Sequence, residues 1–429
     1  MDFIPIQEIL EGKYTDKEVN IRGWIWRERG SGKIRFIILR DSTGRIQVTF
    51  EKENNHEIFE LAKKVTIESS IEAKGIVKED KRSPGGYEIH GNNLKIISLA
   101  EVFPLTKDQS ITFLMDQRHL WIRSRKITAI LKIRAEIFRA FRDWFDKNNY
   151  IEIQGPMFTS SAVEGGSTLF DLKYFEKKAY LTQSSQFYLE AMIFALEKVW
   201  TVAPSFRAEK SRTTRHLTEF WMLEAEKAYS DLEDIMKVEE ELVGYVCKRV
   251  AEQKSELKTL NVDPKKILEV VPPFERISYD KAIEILHGDG VKLEWGEDLG
   301  TEEERILTLK YKKPLFVIDY PKKAKAFYHY PDPNNPEKVK CADLLAPGGY
   351  GEIIGGGQRI DDVEILLQRI QDENLDTSDY EWYIDLRRYG SVPHSGFGLG
   401  VERVLRWLLK LENIRDTIPF PRTIHRIYP

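Results

Sequence analysis

The sequence predicts an α+β fold: a small all-β unit at the N-terminal end, then a larger domain in which helices alternate with strands. Three observations predict it. Residues 18–98 carry short alternating apolar runs broken by turn signals, residues 127–145 and 231–260 repeat their apolar residues at the helical period, and strand-like runs recur between and beyond those helices.

Taken in order, EVNIRGWIWRERGSGKIRFIILRDSTGRIQVTF (18–50) alternates across the breaks GSG and STG, and further runs at 65–77 and 87–98 flank KRSPGGY. About five short strands forming a small barrel or sandwich are expected there, followed by a linker near 100–112. From Ile127 to Phe145, the residues Ile130, Leu131, Ile133, Ile137, Phe138, Phe141 and Trp144 recur at helical spacing; Asn148 and Asn149 supply the stop, and YIEIQGPMF reads as a strand halted at Pro156. The charged segment 231–260 reads as a helix packed over a sheet, with no chemistry assigned to it. Residues 262–320 mix short elements, strand signals return at 325–330 and 350–360, a helix fits 361–372, and HSGFGLG leads into the apolar helix VERVLRWLLKL.

The 429 residues suffice for two or three domains with their own cores, and 41% hydrophobic with 31% charged residues is an ordinary globular balance. No apolar run reaches membrane-span length and MDFIPIQEILEG lacks the order of a signal peptide, so a cytoplasmic protein without a membrane partner is expected. Cys247 and Cys341 lack metal-ligand spacing and are expected as buried thiols. The net charge of −4 gives no global sign of a nucleic-acid partner, so any such contact must be local.

FRAEKSRTTRHLTEFWMLEAE, from Phe206 to Glu226, reads as two strands around a loop. Alternation puts Arg207 and Glu209 on one face, and likewise Phe220, Met222, Glu224 and Glu226. Burying such a group without a ligand is costly, whereas a charged ligand removes the difficulty; a solvated hairpin is the bland alternative. In GFGLGVER, glycines 396, 398 and 400 let a backbone approach a flat or phosphorylated group ahead of a helix that could hold Arg403 rigidly. The spacing is neither that of a Walker P-loop nor that of a dinucleotide GxGxxG.

Together the helix and strand ending at Pro156, the FRAE…EFWMLEAE hairpin and GFGLGVER resemble, in order, the three signature motifs of the class II aminoacyl-tRNA synthetases, and the similarity spans essentially the full chain. GWIWRERGSGKIRFIILRDSTGRIQ resembles the anticodon-binding barrel of the aspartate/asparagine/lysine subgroup. DQRHLWIRS, AVEGGSTLF, LTQSSQFYLE and GEIIGGGQRI narrow the likeness to its aspartyl/asparaginyl branch. The resemblance implies an OB-type barrel over 1–100, a linker or hinge over 101–125, an antiparallel-sheet catalytic domain flanked by helices over 126–429, and a homodimer formed through the first motif.

It also implies roles. Arg207 clamps the ATP α-phosphate and the substrate carboxylate, Glu209 holds the adenine amino group, Phe220 stacks on the base, and Arg403 lies on its other side near the γ-phosphate. His216 meets the pyrophosphate end, with Gly398 and Gly400 beside the nucleotide. Asp343 and Glu352 match the family's Mg2+-binding carboxylates, hard oxygen ligands that suit an ion shared with phosphates. The amino-acid α-carboxylate would attack the α-phosphorus in line, giving an aminoacyl-adenylate and pyrophosphate, and the terminal adenosine of tRNA would then take the acyl group. Positioning and charge stabilisation carry this chemistry, without a side-chain nucleophile.

In the amino-acid pocket Glu164, Ser184 and Gln186 fall at binding positions, the first and last of these matching those that hold the α-amino group, and Arg359 matches the arginine that meets the substrate side chain. Leu189 stands where an aspartyl member would carry a second cation, and Glu224 where such members usually show Asp. One cation, Arg359, would then face one anion, Glu224, a balance suited to a carboxamide. Aspartate would place a second carboxylate ~4 Å from Glu224, a repulsion of roughly 4 kcal/mol at an effective dielectric of about 20. The expected substrates are therefore L-asparagine, ATP and tRNA(Asn), with an aspartyl enzyme as the alternative if Leu189 lies off the pocket. In the barrel, Phe36 is expected to stack on an anticodon base and Gln47 to read a neighbouring edge, with Glu88 as a third contact and Arg22, Arg27, Arg29, Lys33 and Arg35 as local positive charge. A tRNA-binding protein with a retired synthetase domain is a third reading, opposed by the intact Arg207, Glu209, Glu352 and Arg403.

Overall fold

The alternating runs of the first hundred residues become five strands, β1 (Glu18–Gly30), β2 (Ile34–Arg40), β3 (Arg45–Glu51), β4 (Ser70–Glu79) and β5 (Tyr87–Ser98), in a computed structural model that describes residues 2–160, 168–210 and 213–429. They close into a barrel in the order β1-β2-β3-β5-β4, so no sheet edge is left open. One parity points inward: Ile21, Ile25, Ile37, Leu39, Val48, Ile71 and Ile89 are fully buried, each burial contributing ~1.5–3 kcal/mol. The STG break is a turn fastened by Asp41, whose Oδ1 accepts from the N–H groups of Thr43 and Gly44, each at 2.7 Å. The chain divides into two units, Met1–Ser110 and Ile111–Pro429.

In the second unit, α1 (Arg125–Lys147) starts at Ser124, whose side chain accepts from Ile127 N–H, and ends before Asn149 at φ 59°, as the Asn pair predicts. Helix α2 (Gln186–Leu196) follows, and α3 (Leu232–Ala251) opens on a capping box of Asp231 with Asp234. The strands β6 (Ile151–Glu152), β7 (Lys198–Phe206), β8 (Glu219–Ala228), β9 (Glu275–Ser278), β10 (Leu315–Ile318), β11 (Cys341–Ala346), β12 (Gly351–Gln358) and β13 (His394–Gly400) form one sheet. Its order is β9-β10-β11-β12-β13-β8-β7-β6, antiparallel except for the parallel edge pairs β9/β10 and β7/β6. Helices α4 (Thr301–Thr308), α5 (Val363–Asp372), α6 (Glu381–Arg388) and α7 (Val401–Leu408) complete the frame used below.

The two faces of this sheet differ in kind. Leu223 and Ala225 of β8, Phe397 and Leu399 of β13, and Ala342 and Leu344 of β11 join the main apolar core with α1 and α3. The opposite parity carries Glu224 and Glu226, set against the bare backbone of Gly398 and Gly396. Along β8 the carboxylates are thus kept to the face away from the helical core.

Two local expectations differ from the structure. The strand expected at FRAE ends at Phe206, leaving Arg207 and Glu209 in the loop beyond it, although Arg207 N–H still bonds Thr218 O at 3.0 Å. Residues 325–330 form turns after a 3-10 segment at Lys322–Ala324, and the strand comes later, at Pro331–Asp332. The cause is packing: consecutive Phe327 and Tyr328 enter one aromatic cluster with Phe187 and Tyr383, which alternate faces of a strand would forbid. The short helices Ile111–Asp116 and Arg118–Trp121 follow the irregular stretch after β5, and buried Arg118 donates to the Pro419 and Ile418 carbonyls. Both cysteines are buried free thiols, and burial pushes Cys341 up to about 12. Among the described residues no helix is long and apolar enough to cross a membrane.

Candidate active site

Two adjoining cavities open on the charged face of the sheet. The first is lined by Arg207, Glu209, His216, Phe220, Gly400 and Arg403, the second by Ser184, Gln186, Glu224, Glu226, Asp343 and Arg359. Arg207, Met222, Glu352 and Gly398 line both. The glycines of β13 make this possible, because their register sets Gly400, Gly398 and Gly396 opposite Met222, Glu224 and Glu226. A Cβ on Gly396 would stand 2.0 Å from the Glu226 carboxyl carbon, and one on Gly398 3.1 Å from Met222 Sδ.

At the first cavity the Arg207 guanidinium lies 5.6 Å from the Phe220 ring centroid. Arg403 pairs with Glu352 at 3.0 Å. Desolvation alone would raise the Glu352 carboxyl, but Arg403, Lys325 and Arg215 outweigh it and hold the group at about 2. His216 falls to about 4, first through burial and then through Arg403 and Arg215, so it is neutral at pH 7. The loop carrying it is fixed by Arg215, whose guanidinium donates to both oxygens of Glu304 on α4, at 2.7 and 2.9 Å, with both residues buried.

Asp343 and Glu352 share one bare patch, since a Cβ on Gly355 would sit 3.4 Å from Asp343 Oδ1 and 3.5 Å from Glu352 Oε1. Asp343 pairs with Lys325 at 2.6 Å, yet burial lifts its carboxyl to about 7. Two converging carboxylates fit Mg2+: Asp343 and Glu352 would hold it as hard oxygen ligands, and it would supply positive charge to a phosphate-bearing substrate. Among the described residues no group of three or more His, Cys, Asp or Glu could hold a metal by themselves.

The second cavity corrects two expectations. Arg359 does not face Glu224; it pairs with Glu226, donating from Nη2 at 2.6 Å and from Nε at 3.1 Å. Arg359 N–H bonds His394 O, at the start of β13, and that register brings its side chain to the residue opposite Gly396 rather than Gly398. Glu224 instead accepts from Ser184 Oγ–H and, at 2.7 Å, from Ser185 N–H, and burial raises its carboxyl. The charge balance is not one to one, because Arg207 and Lys325 line the same cavity with Glu226, Asp298, Asp343 and Glu352.

Leu189 is the second correction: it lies off the pocket, fully buried with Ile193, Val199 and Ala228. Three residues after Gln186, α2 has turned it toward β7. Ser184 and Gln186 do line the cavity, whereas Glu164 falls outside the described residues. Sequence reading also missed a buried network. Glu190, one turn after Gln186, accepts from Gln186 Nε2 at 2.9 Å, Tyr383 OH at 2.7 Å and Arg387 Nη2 at 2.5 Å, with His394 Nε2 at 3.0 Å. The i, i+4 spacing from Gln186 was the available signal.

On the barrel, Phe36 pairs with Arg29 across β1/β2 and Gln47 with Glu88 across β3/β5. The Arg29 guanidinium lies 5.1 Å from the Phe36 centroid, and Gln47 Nε2 donates to Glu88 at 2.8 Å. Phe36, Gln47 and Glu88 therefore share one face, and Phe36 is half-buried there rather than part of the core. Of the expected basic residues, Arg35 pairs with Glu28 at 2.6 Å.

The family model for class II tRNA synthetases (D, K and N) matches residues 110–424, and that for the OB-fold nucleic acid binding domain matches 19–97. An asparagine–tRNA ligase of Thermococcus gammatolerans is 55% identical over 96% of each chain, and that of Thermoplasma acidophilum is 52% identical over 99% of this chain and 100% of the relative. The crystal structure of asparaginyl-tRNA synthetase from Pyrococcus horikoshii complexed with asparaginyl-adenylate superposes with a TM-score of 0.97 at 52% identity, covering 100% of both chains. With both family models in register and two cavities meeting where the signature motifs converge, the chain belongs to the class II tRNA synthetases of the D, K and N group.

Proposed function

We propose that the chain is an asparagine–tRNA ligase, which activates L-asparagine with ATP and passes it to the terminal adenosine of tRNA(Asn). The observation that carries the chemistry is the meeting of the two cavities at Arg207. A guanidinium there can bridge the α-phosphate and the amino-acid carboxylate, aligning nucleophile and phosphorus and neutralising the charge that builds on phosphate. Glu209 and Phe220 hold the adenine, Arg403 and His216 the phosphate tail, and Gln186 with Glu164 the α-ammonium. Mg2+, when bound by Asp343 and Glu352, supplies further positive charge to the phosphates.

Leu189 lies off the pocket, the condition set for the aspartyl alternative, and so does not itself discriminate. Asparagine is favoured over aspartate by the carboxylates of the second cavity and by the relatives the chain matches. Glu224 accepts two hydrogen bonds from Ser184 and Ser185 and has oxygen lone pairs to offer a carboxamide NH2, and Arg359 is already balanced by Glu226. A second substrate carboxylate would meet like charge. Asparaginyl-adenylate is what the Pyrococcus horikoshii structure holds, and the curated relatives carry the matching activity in their names. The barrel, residues 1–100, reads the anticodon through Phe36, Gln47 and Glu88, the segment 101–125 links it to the catalytic domain 126–429, and the protein works as a cytoplasmic homodimer.

ATP–pyrophosphate exchange without tRNA tests the reading. Asparagine should drive exchange at least about a hundredfold better than aspartate. Equal exchange with both would overturn the substrate, and exchange with neither would overturn the enzyme.

A further inference from the structure

We propose that Glu190, which lines neither cavity, is a positioning residue that decides which end of the Gln186 carboxamide faces the amino acid. The inference rests on Gln186 as an α-ammonium ligand. Glu190 is fully buried and Gln186 is nearly so. The Glu190 carboxylate has only acceptor oxygens, so the Gln186 group 2.9 Å from Oε1 is its NH2. That leaves Gln186 Oε1 for the cavity the residue lines, and an oxygen is what a substrate ammonium requires. Arg387 and His394 hold the other oxygen, Oε2, while Tyr383 OH reaches both, at 2.7 Å from Oε2 and 2.9 Å from Oε1, with a hydroxyl that can turn to accept; the Arg387 guanidinium keeps Glu190 ionised against the pull of burial.

The same geometry predicts what an isosteric change does. In Glu190→Gln, the Arg387 donor at the Oε2 position demands the amide oxygen there, which leaves the new NH2 at the Oε1 position, against the NH2 of Gln186. Two donors cannot face each other, so the Gln186 amide turns over. Its NH2 then meets the substrate ammonium, donor against donor. Adding Gln186→Glu cures this: one oxygen of the new carboxylate accepts from the amide at 190 and the other faces the ammonium, with the net charge of the pair unchanged.

Exchange kinetics on the full chain, with asparagine and ATP varied separately, test the proposal. Glu190→Gln should raise the KM for asparagine about tenfold to a hundredfold and leave the KM for ATP within about twofold. The double variant Glu190→Gln with Gln186→Glu should return the KM for asparagine to within about threefold of the parent. Equal rises in both KM values with a lower Tm, or a double variant no better than Glu190→Gln, would overturn the proposal. If Glu190→Gln does not fold, the double variant alone decides by the same threefold criterion. Gln186→Ala separates the two layers of the inference: an unchanged KM for asparagine in that variant refutes the role of Gln186 itself, whereas a raised one beside a normal Glu190→Gln refutes only Glu190.

Discussion

Glu224 and Glu226 lie two residues apart on β8, share a face and are both buried, yet only Glu226 has a cation as its hydrogen-bonding partner. Glu224 is left to hydroxyl and amide donors, and in the proposed function it is the carboxylate that tests the charge of the amino acid. Glu224→Gln can keep its oxygen for Ser185 N–H and turn its NH2 to Ser184 Oγ, which can accept, but it removes the charge, and its ratio of kcat/KM for asparagine over aspartate should fall by about tenfold or more, ~1.4 kcal/mol, in the exchange assay. An unchanged ratio would move the discrimination elsewhere. Behind the sheet, Glu239 of α3 is fully buried and neither carboxylate oxygen has a hydrogen-bond partner among the described residues. Burial, and then the nearby Asp343, raise its carboxyl well above the ordinary value of 4.5. The folded protein therefore keeps a proton that the unfolded chain releases above that value, and stability drops as pH rises, by up to about 1.4 kcal/mol per pH unit. Glu239→Gln should remove this slope, so that denaturant midpoints of variant and parent coincide near pH 4.5 and separate in the variant's favour toward pH 7.

Between elements, the pairing that matters most for the first cavity joins the loop between β7 and β8 to α4. Arg215 and Glu304 form a buried two-pronged ion pair, and the same Glu304 accepts the backbone N–H of Glu352. Removing one partner strands the other charge, so Arg215→Ala or Glu304→Ala should each cost about 3–5 kcal/mol in denaturant unfolding. Arg215→Met with Glu304→Leu should recover most of that loss while leaving exchange activity low, because Arg215 also lines the cavity. A double variant as unstable as the single ones would show that the loop is held by something other than this pair. The chain around Glu304 was legible only as mixed short elements, since i, i+3 and i, i+4 patterns report one helix face and say nothing of a partner 89 residues away.

For the molecule as a whole, two units with separate cores imply separable functions. Exchange requires only the sheet and its cavities, whereas charging of tRNA also calls on the barrel. Phe36→Ala should therefore weaken tRNA(Asn) binding by ~1–3 kcal/mol, the worth of one base stack, and raise the KM for tRNA, while exchange without tRNA stays at the parent rate. A fall in exchange would show that the barrel supports the catalytic unit directly.

Period and punctuation in the sequence determined the five barrel strands, the long helices α1 and α3, and the parity that gathers Glu224 and Glu226 on one face, because backbone geometry alone fixes those repeats. The likeness of short motifs to a known family brought Arg207, Phe220 and Arg403 into one nucleotide site, and the structure does set them around one cavity. Only the tertiary structure decided the partners: Arg359 with Glu226 rather than Glu224, Leu189 in an apolar cluster rather than the pocket, and Glu190 behind Gln186. Those pairings depend on strand register and on side chains brought together from distant segments, and a one-dimensional pattern carries neither.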